Sequence, residues 1–254
     1  MKISVLRPSF LKIMNYDPST IFVIIDTLRA TTTLSTLKNL GVKKFYIVRN
    51  KEDARKLKMN FFPSSLLIGE EHGTKIKDFD YGNSPTALLA ENHLSSEQVV
   101  FTSSNGSKTM LHLESMDYVY LAALVNLSKT AETVIGVSKA NKSEIVIVPA
   151  GVFNNPNLYA IEDWITAVYL IEKINKIISY PVHTEDQFWG KTKKILDKNT
   201  NFQSLLINST AGQYLEKIGY AQDVIFCSNF DMFHNFLKVK KWLNFSGLKC
   251  VELE

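Results

Sequence analysis

Short apolar runs that stop abruptly at polar residues recur along this chain, and they alternate with stretches of helical spacing. The clearest is IFVII at 21–25, which ends at Asp26. A strand covered on both faces reads this way, because neither face has to meet water. Runs at 2–6, 44–48, 66–68, 98–102, 118–124 and 144–148 predict further strands. Segments 34–40, 51–59, 86–90, 128–140 and 158–176 predict helices, as does the stretch after SSNGS up to 113. Gly41 follows the first helix where a C-cap belongs, and Ser84-Pro85 supplies a hydroxyl cap and a first-turn proline. Loops are expected at 8–17, 72–83 and 152–157. The strand–loop–helix rhythm predicts an α/β protein, with a mostly parallel sheet covered by helices on both faces. Past 176 the pattern weakens: 202–218 reads as a helix, and 223–226 and 248–252 read as strands. No repeat or Pro/Gly/Ser-rich linker interrupts residues 1–254. One domain is expected, with a candidate hinge at 179–183 into a smaller carboxy-terminal lobe from about 180.

Composition narrows the partners. The chain has 254 residues, 45% hydrophobic and 21% charged, which are ordinary globular values. A net charge of +4 favours small anionic ligands and is too weak to predict a nucleic-acid partner. Cys227 and Cys250 match neither a metal spacing nor a disulfide framework, so they read as reduced thiols. No apolar run reaches the ~18 residues of a membrane span. The amino terminus, MKISVLRPSF, carries an arginine where a signal peptide is apolar. These features predict a soluble cytoplasmic protein without a membrane partner, and they leave room for a homodimer.

The candidate chemistry lies where the strands end. The run 21–25 leads into Asp26, Arg29 and the threonines Thr31, Thr32 and Thr33. The run 66–68 leads into Glu70 and Glu71, 98–102 into SSNGS, and 144–148 into PAG, with Glu162 and Asp163 in the following helix. In a parallel sheet these ends share one edge, where ligands bind. Asp26, Glu70, Glu162 and Asp163 are oxygen donors suited to Mg²⁺. Arg29, the threonine hydroxyls and free N–H groups suit an anion beside that cation. In SSNGS, Gly106 permits close backbone approach to such an anion. Each feature also has a plain structural reading. Glu162 complements a helix dipole, Asn83 is a turn residue, SSNGS is a helix cap, and Lys238, Lys240 and Lys241 form a solvated face. The P-loop, GxGxxG and GxSxG patterns are all missing.

Seven segments follow one another in a specific order: IDTLRATTT (25–33), GEEHG (69–73), FDYGNSP (79–85), SSNGS (103–107), the Asn126 turn, PAG (149–151) and IEDW (161–164). Together they resemble the 2-phosphosulfolactate phosphatase family of coenzyme M and sulfolactate biosynthesis. The resemblance implies a three-layer α/β/α fold with a mostly parallel, mixed sheet. It also implies Mg²⁺-dependent hydrolysis of 2-phosphosulfolactate to sulfolactate and phosphate. It assigns catalysis to Asp26, Arg29 and Glu70, with Arg29 as an anion clamp. Asp26, Glu70, Glu162 and Asp163 become the metal side. Thr31, Thr32, Asn83, Ser104, Asn105, Gly106, Asn126 and Gly151 become the substrate side. The nucleophile is either water or Asp26. Glu71 departs from the resemblance, standing where the family usually has arginine. That departure keeps two other readings in view: a different phosphorylated hydroxy acid, or a non-catalytic relative that binds an anionic metabolite.

Overall fold

In the computed structural model the apolar runs are strands: β1 (Ile3–Val5), β2 (Ile21–Ile25), β3 (Lys44–Val48), β4 (Leu66–Glu71), β5 (Thr74–Lys75), β6 (Gln98–Thr102), β7 (Tyr118–Ala122), β8 (Ile145–Pro149), β9 (Val182–His183), β10 (Leu237–Phe245) and β11 (Leu248–Leu253). The helices are α1 (Ala30–Asn39), α2 (Lys51–Asn60), α3 (Pro85–Leu89), α4 (Gly106–Leu111), α5 (Leu127–Asn141), α6 (Ile161–Ile177), α7 (Gln187–Leu196), α8 (Phe202–Ile207), α9 (Thr210–Lys217) and α10 (Ala221–Cys227). The structure describes all residues except 1, 12–14, 92–93, 95, 156, 185 and 199–200. Residues 12–14 and 156 of the predicted loops therefore lie outside the described residues.

The strands form one 11-stranded sheet in the order β5-β4-β6-β3-β11-β10-β7-β2-β8-β1-β9. Two parallel groups, β4-β6-β3 and β7-β2-β8-β1-β9, flank the β10–β11 hairpin, which is antiparallel to both neighbours. The sheet is thus mixed, with helices on both faces in three layers. Three antiparallel junctions in a row reverse the sense of one group against the other. The expected single edge of carboxyl ends is therefore not the geometry. Nothing in the local pattern of 237–253 signals that this segment enters the middle of the sheet. Asp26 after β2, Glu70 at the end of β4 and Ser103 to Asn105 after β6 nevertheless line one cleft.

Packing fixes this arrangement. Phe22 and Ile24 of β2 share a core with Phe45 and Ile47 of β3, Phe101 of β6, Leu34 and Leu37 of α1 and Met110 of α4. Alternate residues Ile21, Val23 and Ile25 face a second core under α5 and α6. All five residues of β2 are fully buried. Each contributes about 1.5–3 kcal/mol on burial. Helices α7 to α10 add Phe188, Phe202, Leu206, Leu215 and Val224 to that second core. A smaller core lies beneath α2, with Tyr46, Val48 and Leu67 facing Ala54 and Leu57.

Two carboxy-terminal expectations need correction. Residues 223–226 belong to helix α10, whose buried Asp223, Val224 and Cys227 follow helical spacing. The predicted helix 202–218 is two helices, divided at Asn208 and Ser209, where Ser209 accepts the Gly212 N–H as the cap of α9. Lys238, Lys240 and Lys241 form the expected solvated face, on β10, where they pair with Glu252 and Glu254. Among the described residues, no helix is long and apolar enough to cross a membrane.

Candidate active site

The turn after β2 is held by its own side chains. Thr31 donates its hydroxyl to the Asp26 carbonyl at 2.9 Å, and Thr32 donates to the Thr27 carbonyl at 2.9 Å. Both threonines are buried, and neither lines the cleft described below. They lock the turn from its buried side, away from the cleft where they were expected to meet a substrate. Asp26 accepts the Ala30 N–H at 3.2 Å and also the Gly106 N–H. A Cβ at Gly106 would lie 2.8 Å from Asp26 Oδ2, so only glycine lets the start of α4 approach this closely. The Leu28–Arg29 peptide bond in this turn is cis.

The SSNGS turn is occupied by the protein itself. Ser103 and Ser107 exchange N–H to hydroxyl bonds at 2.9 and 3.0 Å. The Ser104 N–H donates to Glu70 Oε1 at 2.5 Å, and the Ser104 hydroxyl donates to Oε2 at 3.0 Å. Asn105 Oδ1 accepts the Phe153 N–H at 3.1 Å. The N–H groups expected to cradle a phosphate thus hold the carboxylates of Asp26 and Glu70. Ser104 and Gly106 position those carboxylates at the cleft, and Asn105 holds the Phe153 backbone beside them.

Arg29 is also committed. Its Nη1 lies 2.6 Å from Asp223 Oδ2, its Nη2 donates to the Gly73 carbonyl, and its guanidinium stacks 4.2 Å from the Tyr220 ring. Asp223 Oδ1 meanwhile takes the Ser84 hydroxyl at 2.9 Å and the Thr86 N–H at 3.1 Å. A guanidinium with this many partners is a strut between the turn, the β4–β5 hairpin and α10, and is not a free clamp. Asp223 escaped the sequence reading because a lone acid in a helix carries no spacing signal.

Asp26 and Glu70 line a cleft of about 510 Å³, together with Asn83, Ser104, Asn105, Arg49, Lys51 and Lys108. The three cations were not anticipated; solvent-facing lysines and arginines are too common to stand out. Lys51 is paired with Glu71 at 2.6 Å, so the unusual glutamate is neutralised locally. Arg49 and Lys108 have no ion pair among the described residues. Asn126 and Gly151 lie elsewhere. Asn126 Oδ1 accepts the Ala123 N–H at 2.9 Å and closes a turn, and the Gly151 N–H donates to Asp163 Oδ2 at 2.9 Å.

The four predicted metal carboxylates separate into two roles. Asp163 spends both oxygens on backbone N–H groups, Thr27 at 2.8 Å and Gly151 at 2.9 Å, and so ties the ends of β2 and β8 together. Glu162 is held by the Ser209 side chain. Neither residue lines the cleft. Among the described residues no three Asp, Glu, His or Cys side chains converge as a metal group, so the four-carboxylate site is not formed. Asp26 and Glu70 do face the cleft together. Mg²⁺ takes one or two carboxylates and fills its remaining positions with water and substrate oxygens, so this pair fits it.

Electrostatics couple these acids. Burial, then the nearby Glu70 charge, pushes Asp26 up to about 6. Burial and the Asp26 charge push Glu162 up to about 7. Burial with both neighbours raises Asp163 well above the carboxylate range. A cluster of this kind gains from a cation or from protons.

Comparison with known proteins bears on this geometry. A family model described as 2-phosphosulpholactate phosphatase matches residues 9–241. A probable 2-phosphosulfolactate phosphatase of Caldanaerobacter subterraneus subsp. tengcongensis is 32% identical over 221 residues, covering 86% of this chain and 87% of the relative. The 2-phosphosulfolactate phosphatase of Methanocaldococcus jannaschii is 28% identical over 221 residues, covering 83% and 85%. A probable 2-phosphosulfolactate phosphatase of Carboxydothermus hydrogenoformans is 30% identical over 210 residues, covering 83% and 82%.

Proposed function

Because the chain belongs to the 2-phosphosulpholactate phosphatase family, we propose that its cleft hydrolyses 2-phosphosulfolactate to sulfolactate and phosphate, with Mg²⁺ held by Asp26 and Glu70. The observation that carries this reading is one open cleft lined by two buried carboxylates and by the cations Arg49 and Lys108. Carboxylates alone would repel a phosphate. Cations alone would bind it without activating water. When bound, Mg²⁺ offsets charge on the phosphoryl oxygens and lowers the pKa of a bound water.

The chain's own residues do the rest. Arg49 and Lys108 attract the anion from solvent. Asp26, ionised near neutrality and facing the cleft, takes the proton of the attacking water. That proton balances the one the departing alkoxide needs. Ser104 and the Gly73 N–H, at 2.7 Å, hold Glu70 in place. Arg29 positions the turn and touches no reacting atom. Paired with Lys51, Glu71 adds no net negative charge to the wall and does not by itself disfavour a sulfonated substrate.

The test is phosphate release from a panel of phosphorylated hydroxy acids, with Mg²⁺ or with a chelator. Magnesium-dependent release from 2-phosphosulfolactate is expected. Release only from other esters assigns a different substrate, and sulfolactate binding without release on any ester assigns a non-catalytic relative.

A further inference from the structure

We propose that Arg49 and Lys108 form a subsite for a second acidic group on the substrate, and that they make the enzyme select phosphate esters carrying an additional sulfonate or carboxylate. This rests on the phosphatase reading above and assigns its specificity to particular residues.

The register of the strands places Arg49. Ile47 of β3 pairs with Phe101 of β6, and Gly69 of β4 pairs with Thr102. Continued by one or two residues, Arg49 and Glu70 lie on either side of Ser103 at the strand ends. Two strand spacings separate them, about 10 Å at 4.7–4.9 Å each. That span fits a small substrate whose phosphoryl group sits at Glu70 while its second acid reaches toward Arg49. Lys108 enters the same cleft from α4, half-buried, with its ammonium 5.8 Å from the Phe153 ring centroid.

Charge accounting singles out these two residues. Of the four cations that line the cleft, Arg29 is spent on Asp223 and Lys51 on Glu71. Arg49 and Lys108 are the unspent ones among the described residues. Asn83, 4% exposed, lines the same cleft.

The experiment compares kcat/KM for 2-phosphosulfolactate with that for ethyl phosphate, which has no second acid, in the wild type and in Arg49→Gln, Arg49→Lys and Lys108→Gln. Each Gln variant is expected to lower the ratio of the two at least tenfold, through KM for the sulfonated ester, and Arg49→Lys is expected to restore part of it. A ratio unchanged in both Gln variants overturns the subsite, whether both rates fall together or neither does. Calorimetric binding of sulfolactate separates this from failure of the parent reading. If the wild type releases no phosphate from any ester, the subsite still requires that sulfolactate bind and that Arg49→Gln weaken it at least tenfold. Equal binding by both proteins rejects the subsite.

Discussion

The guanidinium of Arg29 and the carboxylate of Asp223 meet at 2.6 Å although 194 residues separate them, and solvent reaches neither side chain appreciably. Removing one partner of such a pair strands the other charge in a low-dielectric interior. Asp223→Ala is therefore expected to lower the unfolding free energy by about 3–5 kcal/mol. Arg29→Met combined with Asp223→Leu should lose less than Asp223→Ala alone. Denaturant titration of the variants checks both. A loss below 1 kcal/mol for Asp223→Ala would show that the pair contributes little.

Asp26→Asn separates activity from stability. The substitution removes the proposed base, so kcat should fall by at least ~100-fold. It also removes a carboxylate that burial and Glu70 already disfavour, so the metal-free protein should be no less stable, and more stable by about 1 kcal/mol near neutral pH. Steady-state kinetics and a thermal melt on the same preparation read both effects. Full activity would remove Asp26 from the reaction.

Gly106→Ala tests the close approach of α4. The new methyl would meet Asp26 Oδ2 at 2.8 Å and Ala30 Cβ at 3.0 Å. Overpacking of this kind costs about 1–3 kcal/mol. Because the displaced atom belongs to Asp26, kcat should fall by at least tenfold as well. Gly136→Ala, with open space around its Cβ inside α5, is the control: it should leave kcat unchanged and raise stability slightly, as alanine does in a helix interior.

The acid cluster predicts an unusual pH dependence. Glu162 and Asp26 are pushed up to about 7 and about 6, so between about pH 4 and 7 the folded chain holds more protons than the unfolded chain. This contribution to stability is present below the unfolded values and is lost as pH rises through the folded ones. The lowered carboxylates, such as Glu71 and Asp231, act in the opposite sense, but only as pH falls below about 4. Metal-free protein should therefore be less stable at pH 7.5 than at pH 5, by on the order of 2 kcal/mol. Glu162→Gln should flatten the difference. Added Mg²⁺ should stabilise more at pH 7.5 than at pH 5, because only ionised acids hold it. Melting curves at the two pH values, with and without chelator, decide the matter.

Much of this protein was written in its local pattern. The unbroken apolar run Ile21–Ile25 read as a strand buried on both faces, which it is, and its stop at Asp26 marked where chemistry could begin. Ser84 and Pro85 announced the start of α3, and Ser84 does accept the Ala87 N–H there. The ordered motifs identified the family because each motif is a short stretch whose meaning survives without its neighbours. Tertiary structure alone decided what the polar groups face. Thr31 and Thr32 look the same in sequence whether they bind a ligand or close a turn, and here they close the turn. Arg29 reads as a free clamp until Asp223 arrives from α10. The β10–β11 hairpin reverses one half of the sheet from a segment that carries no sign of its destination. Periodicity records how deeply a residue is buried, since burial repeats along each element. It does not record which distant charge a side chain will meet, because that depends on the path of the whole chain.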